Sequence, residues 1–282
     1  MPTEGQALPH PTLLELAGRV AGEPVRVCVL EPHDVDRGAL YEQIVAGCYE
    51  RPFIVDDGHT RQLWLGNDLV QSSMRVDDPY ALDFAYTRKM MAFLLFAPAP
   101  EHVLMVGLGG GSLAKFCHRH LPATRITVVE VSADVIAMRG AFAVPDDARL
   151  AIVEADAAAY LPQRTGDTDV LLLDGFDDSG IAPSFFDRAF YRAARKRLRP
   201  GGVVVVNFAG PRAGWQAHEQ MLRRAFDGRV HLAEVTGGDN HIAFAFVDPA
   251  YPPDWDAIEA RAAALAGRIP LDFPALAARL RP

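Results

Sequence analysis

At 282 residues, half of them apolar, the chain can bury a sizeable core and is not a disordered segment. Its net charge of −8 argues against nucleic-acid binding, which needs a basic face. Cys28, Cys48 and Cys117 are odd in number and lack CxxC spacing, so neither a zinc site nor a disulfide framework is indicated, and a cytoplasmic setting is expected.

The first residues, MPTEGQALPHPTLLELAGRV, have no basic start followed by an apolar stretch, so no secretory signal is expected there. Strand-like runs follow: VRVCVLE (25–31), then FIVDDGHTRQLWLGNDLVQSS (53–73), where two β-rich runs flank the turn signal DDGHT. These strands make too small a sheet to stand alone, so an N-terminal β-unit packed on a larger domain is expected. PYALDFAYTRKMMAFLLF (79–96) has helical spacing and is closed by APAP, well short of a membrane span.

From residue 102 the chain alternates strand and helix. HVLMV, RITVVEV, RLAIVEA, DVLLLD and GVVVVNF read as strands, with SADVIAMRGAF and FFDRAFYRAARKRL as helices between them. Consecutive apolar strands separated by helices predict a parallel sheet covered on both faces. A helix near 213–227, an antiparallel pair (RVHLAEV, HIAFAFVD) and a helical tail complete the pattern. The fold class is therefore α/β: a methyltransferase-like, Rossmann-type, seven-stranded doubly wound sheet with a small N-terminal β-unit. The expected division is 1–78 for the β-rich unit and 79–282 for the larger domain.

In such a sheet, ligands sit at the C-terminal strand ends where the winding reverses. VLMVGLGGGSL (103–113) places Gly107, Gly109, Gly110 and Gly111 between a strand and a helix. Glycines there let a ligand approach the backbone, or simply permit a tight turn. About twenty residues on, Glu130 ends the next strand, where a carboxylate can bond both hydroxyls of a ribose. Asp156, in VEADAAAY, ends the third and can accept from an adenine amine. With no intact GxGxxG, this order favours an S-adenosyl compound over a dinucleotide. DVLLLDGFDDSG adds Asp174, Asp177 and Asp178 after the fourth strand, suited to binding and deprotonating a cationic amine. Asp178 reads better as a helix cap. The histidines at 102, 118, 120, 231 and 241 lack ligand spacing, and no metal is expected.

DVLLLDGFDDSGIAPSFFDRAFY resembles the strand-four segment of the polyamine aminopropyltransferases, the spermidine and spermine synthases. LWLGNDLVQSS is similar to that family's N-terminal hairpin, VLMVGLGGGSL to its glycine turn, VVEVSADVI to its ribose segment and VEADAAAYL to its adenine segment. The resemblance spans about residues 50 to 210. It implies transfer of an aminopropyl group from decarboxylated S-adenosylmethionine to a small amine, with methylthioadenosine released. It implies Asp174 as general base and Asp177 as an acceptor-holding residue. Glu130 would bind the ribose, Asp156 with Ala157 the adenine, and Gln71 the nucleoside ligand, with Tyr86 walling the pocket. Dimerisation through the β-unit is also implied. The family's acid in the glycine turn is Gly110 here, the residue after Tyr86 is Thr87 rather than glutamine or histidine, and the last hairpin reads VTGGDNH. These departures keep two alternatives open: an S-adenosylmethionine-dependent methyltransferase, or a non-catalytic protein retaining the nucleoside pocket. Under the leading reading, a carboxylate at position 110 is expected to improve binding of the decarboxylated donor.

Overall fold

The computed structural model describes residues 12–20, 22–66, 69–177, 180–181, 187–247, 251 and 253–281, with backbone alone at 69, 176–177 and 180–181. Leu14 and Leu16, two residues apart, turn inward from β1 (Thr12–Val20), which pairs antiparallel with β2 (Glu23–Glu31). β3 (Phe53–Asp56), β4 (Thr60–Leu65) and β5 (Leu69–Arg75) complete a five-stranded sheet in the order β1-β2-β3-β4-β5. Helix α1 (Arg37–Val45) is capped by Asp36, whose carboxylate accepts from the N–H groups of Gly38 and Ala39. Its Leu40 and Ile44 pack on Leu14, Leu16, Val29 and Phe53.

The DDGHT turn sits where the sequence puts it. Asp57 accepts from the N–H groups of His59 and Thr60 and from the Thr60 hydroxyl, which closes the β3–β4 connection. β1 and α1 were not legible, because β1 is exposed along most of its length and α1 buries only two side chains. The other face of this sheet, through Cys28, Leu30, Ile54, Leu63 and Met74, belongs to the main core. The small sheet is thus held to the rest of the fold by the same buried core that the seven-stranded sheet uses.

Helical spacing predicts a helix across 79–96, but α2 (Ala85–Met90) starts later and tightens into a 3₁₀ turn at Met91–Leu95. The guanidinium of Arg88 donates to the carbonyls of Leu82 and Asp83, each at 2.6 Å, and holds the preceding residues in a turn. All five residues of the 3₁₀ turn are fully buried, so this segment lies inside the core rather than on it.

The second sheet is built from β6 (His102–Val106), β7 (Arg125–Glu130), β8 (Leu150–Glu154) and β9 (Thr168–Leu173). A short antiparallel pair, β10 (Phe176–Asp177) and β11 (Gly180–Ile181), stands after β9. β12 (Leu198–Phe208), β13 (Val230–Glu234) and β14 (His241–Phe246) follow, giving the order β13-β14-β12-β9-β6-β7-β8. All neighbours are parallel except β14, which is antiparallel to β12 and β13.

Alternate residues of each strand feed two cores. Val103 and Met105 face α3 (Ser112–His120), α4 (Ala133–Met138), α8 (Trp255–Leu265) and α9 (Phe273–Leu280). Leu104 and Val106 face α5 (Ala157–Tyr160), α6 (Arg188–Arg197) and α7 (Arg212–Ala225). From β6 the chain winds outward through β7 and β8, then returns across β6 to β9. The crevice at this reversal, between the C-terminal ends of β6 and β9, is where a ligand is accommodated in such sheets. Among the described residues no helix is long and apolar enough to cross a membrane.

Candidate active site at the strand-order reversal

The two strand tips at the reversal are joined directly. The N–H of Asp174 donates to the carbonyl of Val106 at 3.0 Å, and the N–H of Gly107 to that of Val129 at 2.9 Å. Gly107 has φ +93°, and a Cβ there would stand 2.3 Å from the carbonyl oxygen of Asp174. Gly111 has φ +69°, and a Cβ would meet Val144 at 2.6 Å; at Gly110 it would meet Ser72 Oγ at 2.8 Å and Phe142 at 2.9 Å. Gly109, at φ +51°, has ordinary clearance from Ser72. At Gly107, Gly110 and Gly111 the protein's own close packing is enough to require glycine, whereas at Gly109 a Cβ would have ordinary clearance.

Glu130 holds the turn from the next strand. Its Oε2 accepts from the N–H of Leu108 and its Oε1 from the N–H of Ser132, both at 2.8 Å. Each oxygen retains a second lone pair, so a ribose hydroxyl can still be accepted. Asp156 lies past the end of β8 as the exposed N-cap of α5, accepting from the N–H of Ala158 at 2.9 Å. Ala157 is buried behind it.

The small sheet reaches into the same crevice. Leu63 pairs with Ser72 but Trp64 with Val70, so Gln71 is the extra residue of a β-bulge. Bulges re-aim side chains, and Nε2 of Gln71 is buried without a hydrogen-bond partner. Two arginines lock this sheet to the larger domain. Arg51 makes a bidentate pair with Asp134 at the start of α4, at 2.9 and 3.0 Å. Arg61, paired with Asp56, donates to the carbonyl of Ala141. Beside it the ammonium of Lys115 donates to the carbonyl of Phe142 at 2.8 Å, and burial pulls its pKa down to about 8. These bonds fix Phe142 against Gly110.

Asp174 is held by hydrogen bonds from two sides. Oδ2 accepts from the hydroxyl of Tyr86 at 3.2 Å and Oδ1 from the amide of Asn207 at 2.8 Å. Burial pushes the Asp174 carboxyl above the usual range, while the bonds from Asn207 and Tyr86 pull it back. Burial, and then the Asp174 charge, raise the phenol of Tyr86 well above its ordinary value. Tyr86 thus stands on the carboxylate itself. Thr87, buried next to it, donates to the carbonyl of Phe84.

Two residues here were missed in the sequence. Asn207 closes the apolar run VVVV at the end of β12, where an amide is the one polar signal; Asn240 had none. The Asn240 amide donates to Oδ1 of Asn207 at 2.9 Å. The side chain of Asp177 and all of Asp178 lie outside the described residues. Among the described residues no group of three histidine, cysteine or acidic side chains could hold a metal ion.

A seven-stranded sheet of this order, with a glycine turn, a strand-end glutamate and a sheltered carboxylate at its reversal, is an α/β, Rossmann-like fold of the methyltransferase type. Consistent with that class, human methyltransferase-like protein 13, solved in complex with SAH, superposes with a TM-score of 0.60 at 24% identity, covering 66% of this chain and 92% of that one. A spermidine synthase in complex with the transition-state analogue AdoDATO superposes with a TM-score of 0.63 at 18% identity, covering 95% and 84%. The family is given by sequence. Residues 83–223 match the model of the spermine/spermidine synthase domain. The polyamine aminopropyltransferase of Chromobacterium violaceum is 38% identical over 81% of this chain and 88% of its own length; that of Neisseria meningitidis serogroup A is 36% identical over the same shares. The chain belongs to the spermine/spermidine synthase family.

Proposed function

We propose that the protein is an aminopropyltransferase that joins the aminopropyl group of decarboxylated S-adenosylmethionine to a small-molecule amine. The observation that carries this reading is the Asp174 carboxylate at the reversal, held by Tyr86 and Asn207 and raised in pKa by burial. A protonated amine is no nucleophile. Its proton must leave before or as the nitrogen attacks the methylene next to the sulfonium, the carbon–sulfur bond breaks and methylthioadenosine departs. Asp174 is the acceptor for that proton, and a carboxylate of raised pKa is the better base so long as it is ionised at the working pH. In-line placement of the two reactants supplies much of the remaining acceleration.

The nucleoside half of the pocket is assigned to Glu130 for the ribose, the Asp156–Ala157 step for the adenine, and the outer face of Gly109. Gln71 is added because its buried, unpartnered amide on a β-bulge fits an acceptor atom on a ligand. Tyr86 serves the base directly. Asp177 is assigned to the acceptor amine on the resemblance alone.

The test is to incubate the protein with decarboxylated S-adenosylmethionine and a panel of di- and triamines and measure methylthioadenosine by chromatography. Amine-dependent release, lost in Asp174→Asn, is expected. Methylation of any acceptor by S-adenosylmethionine without such release would overturn the proposal in favour of a methyltransferase.

A further inference from the structure

The amide of asparagine can face a neighbour with either its donor or its acceptor end, and the two ends are nearly the same size. At Asn207 the choice has a consequence. With Nδ2 toward Asp174 the carboxylate is stabilised; with Oδ1 there it would be repelled. Asn207 is buried, so water does not freely set its orientation. Two neighbours set it: the Asp174 carboxylate, which when ionised can only accept, and Asn240, whose Nδ2 donates to Oδ1 of Asn207 at 2.9 Å.

We propose that Asn240 is a positioning residue for the transfer: by holding the amide of Asn207 from behind, it keeps a donor rather than a carbonyl against Asp174. The inference rests on Asp174 being the base of the proposed reaction. Asn240 lies just before β14 in the β13–β14 hairpin, and its carbonyl accepts from the N–H of Val235 at 3.0 Å, which anchors it across the turn. The hairpin is therefore wired to the strand end that carries the chemistry. His241, the next residue, packs at a tilt against Trp215 with ring centres 4.8 Å apart.

The surroundings of Asp174 give the relay weight. From α2 the titratable group facing it is Tyr86; from β12 it is met by the neutral Asn207. Among the described residues no cation pairs with Asp174. The side chain of Asp177 and all of Asp178 lie outside the described residues. With burial opposing ionisation, two neutral donors keep the carboxylate usable, and one of them depends on Asn240.

The experiment compares wild type, Asn240→Ala, Asn207→Leu and the double variant. The carboxyl carbon of Asp174 is followed by NMR across pH, and turnover is measured at saturating substrates over the same range. Loss of Asn240 is expected to raise the Asp174 midpoint, and the acid limb of turnover with it, by about half to one pH unit. Asn207→Leu should shift both at least as far. Adding Asn240→Ala to Asn207→Leu should add nothing, because Asn240 acts only through that amide. An Asn240→Ala midpoint that matches wild type, or a shift undiminished in the Asn207→Leu background, overturns the proposal. If Asn207→Leu does not fold, the single Asn240→Ala titration decides. An Asp174→Asn variant that keeps its turnover would instead sink the assignment of the base, whatever Asn240 does.

Discussion

The α-carbon of Gly107 lies against the backbone carbonyl of Asp174, so close that a Cβ would stand 2.3 Å from that oxygen. The glycine turn and the proposed base are therefore one construction: the tip of β9 can sit beside β6 because position 107 has no side chain. Gly107→Ala is expected to fail on two counts, the clash and a φ of +93° that alanine adopts only under strain. A loss on the order of 3 kcal/mol or more is expected, with turnover falling as Asp174 is displaced. Thermal denaturation checks it; a melting temperature within a degree or two of wild type would show that the strand tips are free to part.

The raised pKa of Asp174 makes a stability prediction with a definite sign. Burial lifts its folded value above the unfolded one. Such a group favours folding at low pH and loses that contribution as pH rises through the folded value. Asp174→Asn preserves the shape and can still accept from Asn207, but removes the ionisation. The variant should therefore gain stability relative to wild type as pH rises above the ordinary carboxylate value of about 4, while losing roughly 10²–10⁴-fold in turnover. Melting curves across this range test it, and a difference that stays flat with pH would contradict a raised Asp174.

Glu130 looked, in the sequence, like a pure ligand contact. The structure gives it a structural duty, since its two oxygens hold the N–H groups of Leu108 and Ser132. Glu130→Gln keeps one acceptor and turns an amide donor toward the other N–H. It should cost roughly 1–3 kcal/mol of stability for the stranded backbone donor. Binding of methylthioadenosine should weaken about tenfold to a hundredfold as well. Calorimetric unfolding and titration measure the two separately; weakened binding with intact stability would mean the backbone bonds are dispensable.

The fold was legible because β6, β7, β9 and β12 are continuous apolar runs, buried on both faces and separated by helical spacing. Of the candidate site, the sequence shows which acids stand at strand ends, as with Glu130 and Asp174. What sequence could not show is proximity between distant segments. Ser72 beside Gly110, Tyr86 on Asp174 and Asn240 behind Asn207 each join residues more than thirty positions apart. The bulge at Gln71 was hidden for a related reason, since it is a property of the β4–β5 pairing and not of either strand. β1 was missed because most of its side chains face water.

The missing acid of the glycine turn shows how such proximity changes an expectation. On charge alone, Gly110→Asp should help to bind the ammonium of the decarboxylated donor. The backbone does not forbid it, because Gly110 is not among the residues with positive φ. The space does. A Cβ would press on Ser72 Oγ and on the ring of Phe142, and Phe142 is anchored by Lys115 while Arg61 holds the adjoining Ala141. Gly110→Asp alone should therefore lower the melting temperature and weaken binding of decarboxylated S-adenosylmethionine and S-adenosylmethionine alike, since overpacking of this kind typically costs about 1–3 kcal/mol. Combining it with Ser72→Ala and Phe142→Leu removes both obstructions. The triple variant should recover most of the lost stability and favour the decarboxylated ligand, because the new carboxylate attracts its ammonium and repels the carboxylate of S-adenosylmethionine. Titration calorimetry with the two ligands reads the preference directly. If the triple variant instead tightens on S-adenosylmethionine alone, position 110 does not face the transferred group, and the electrostatic reading of this turn is wrong.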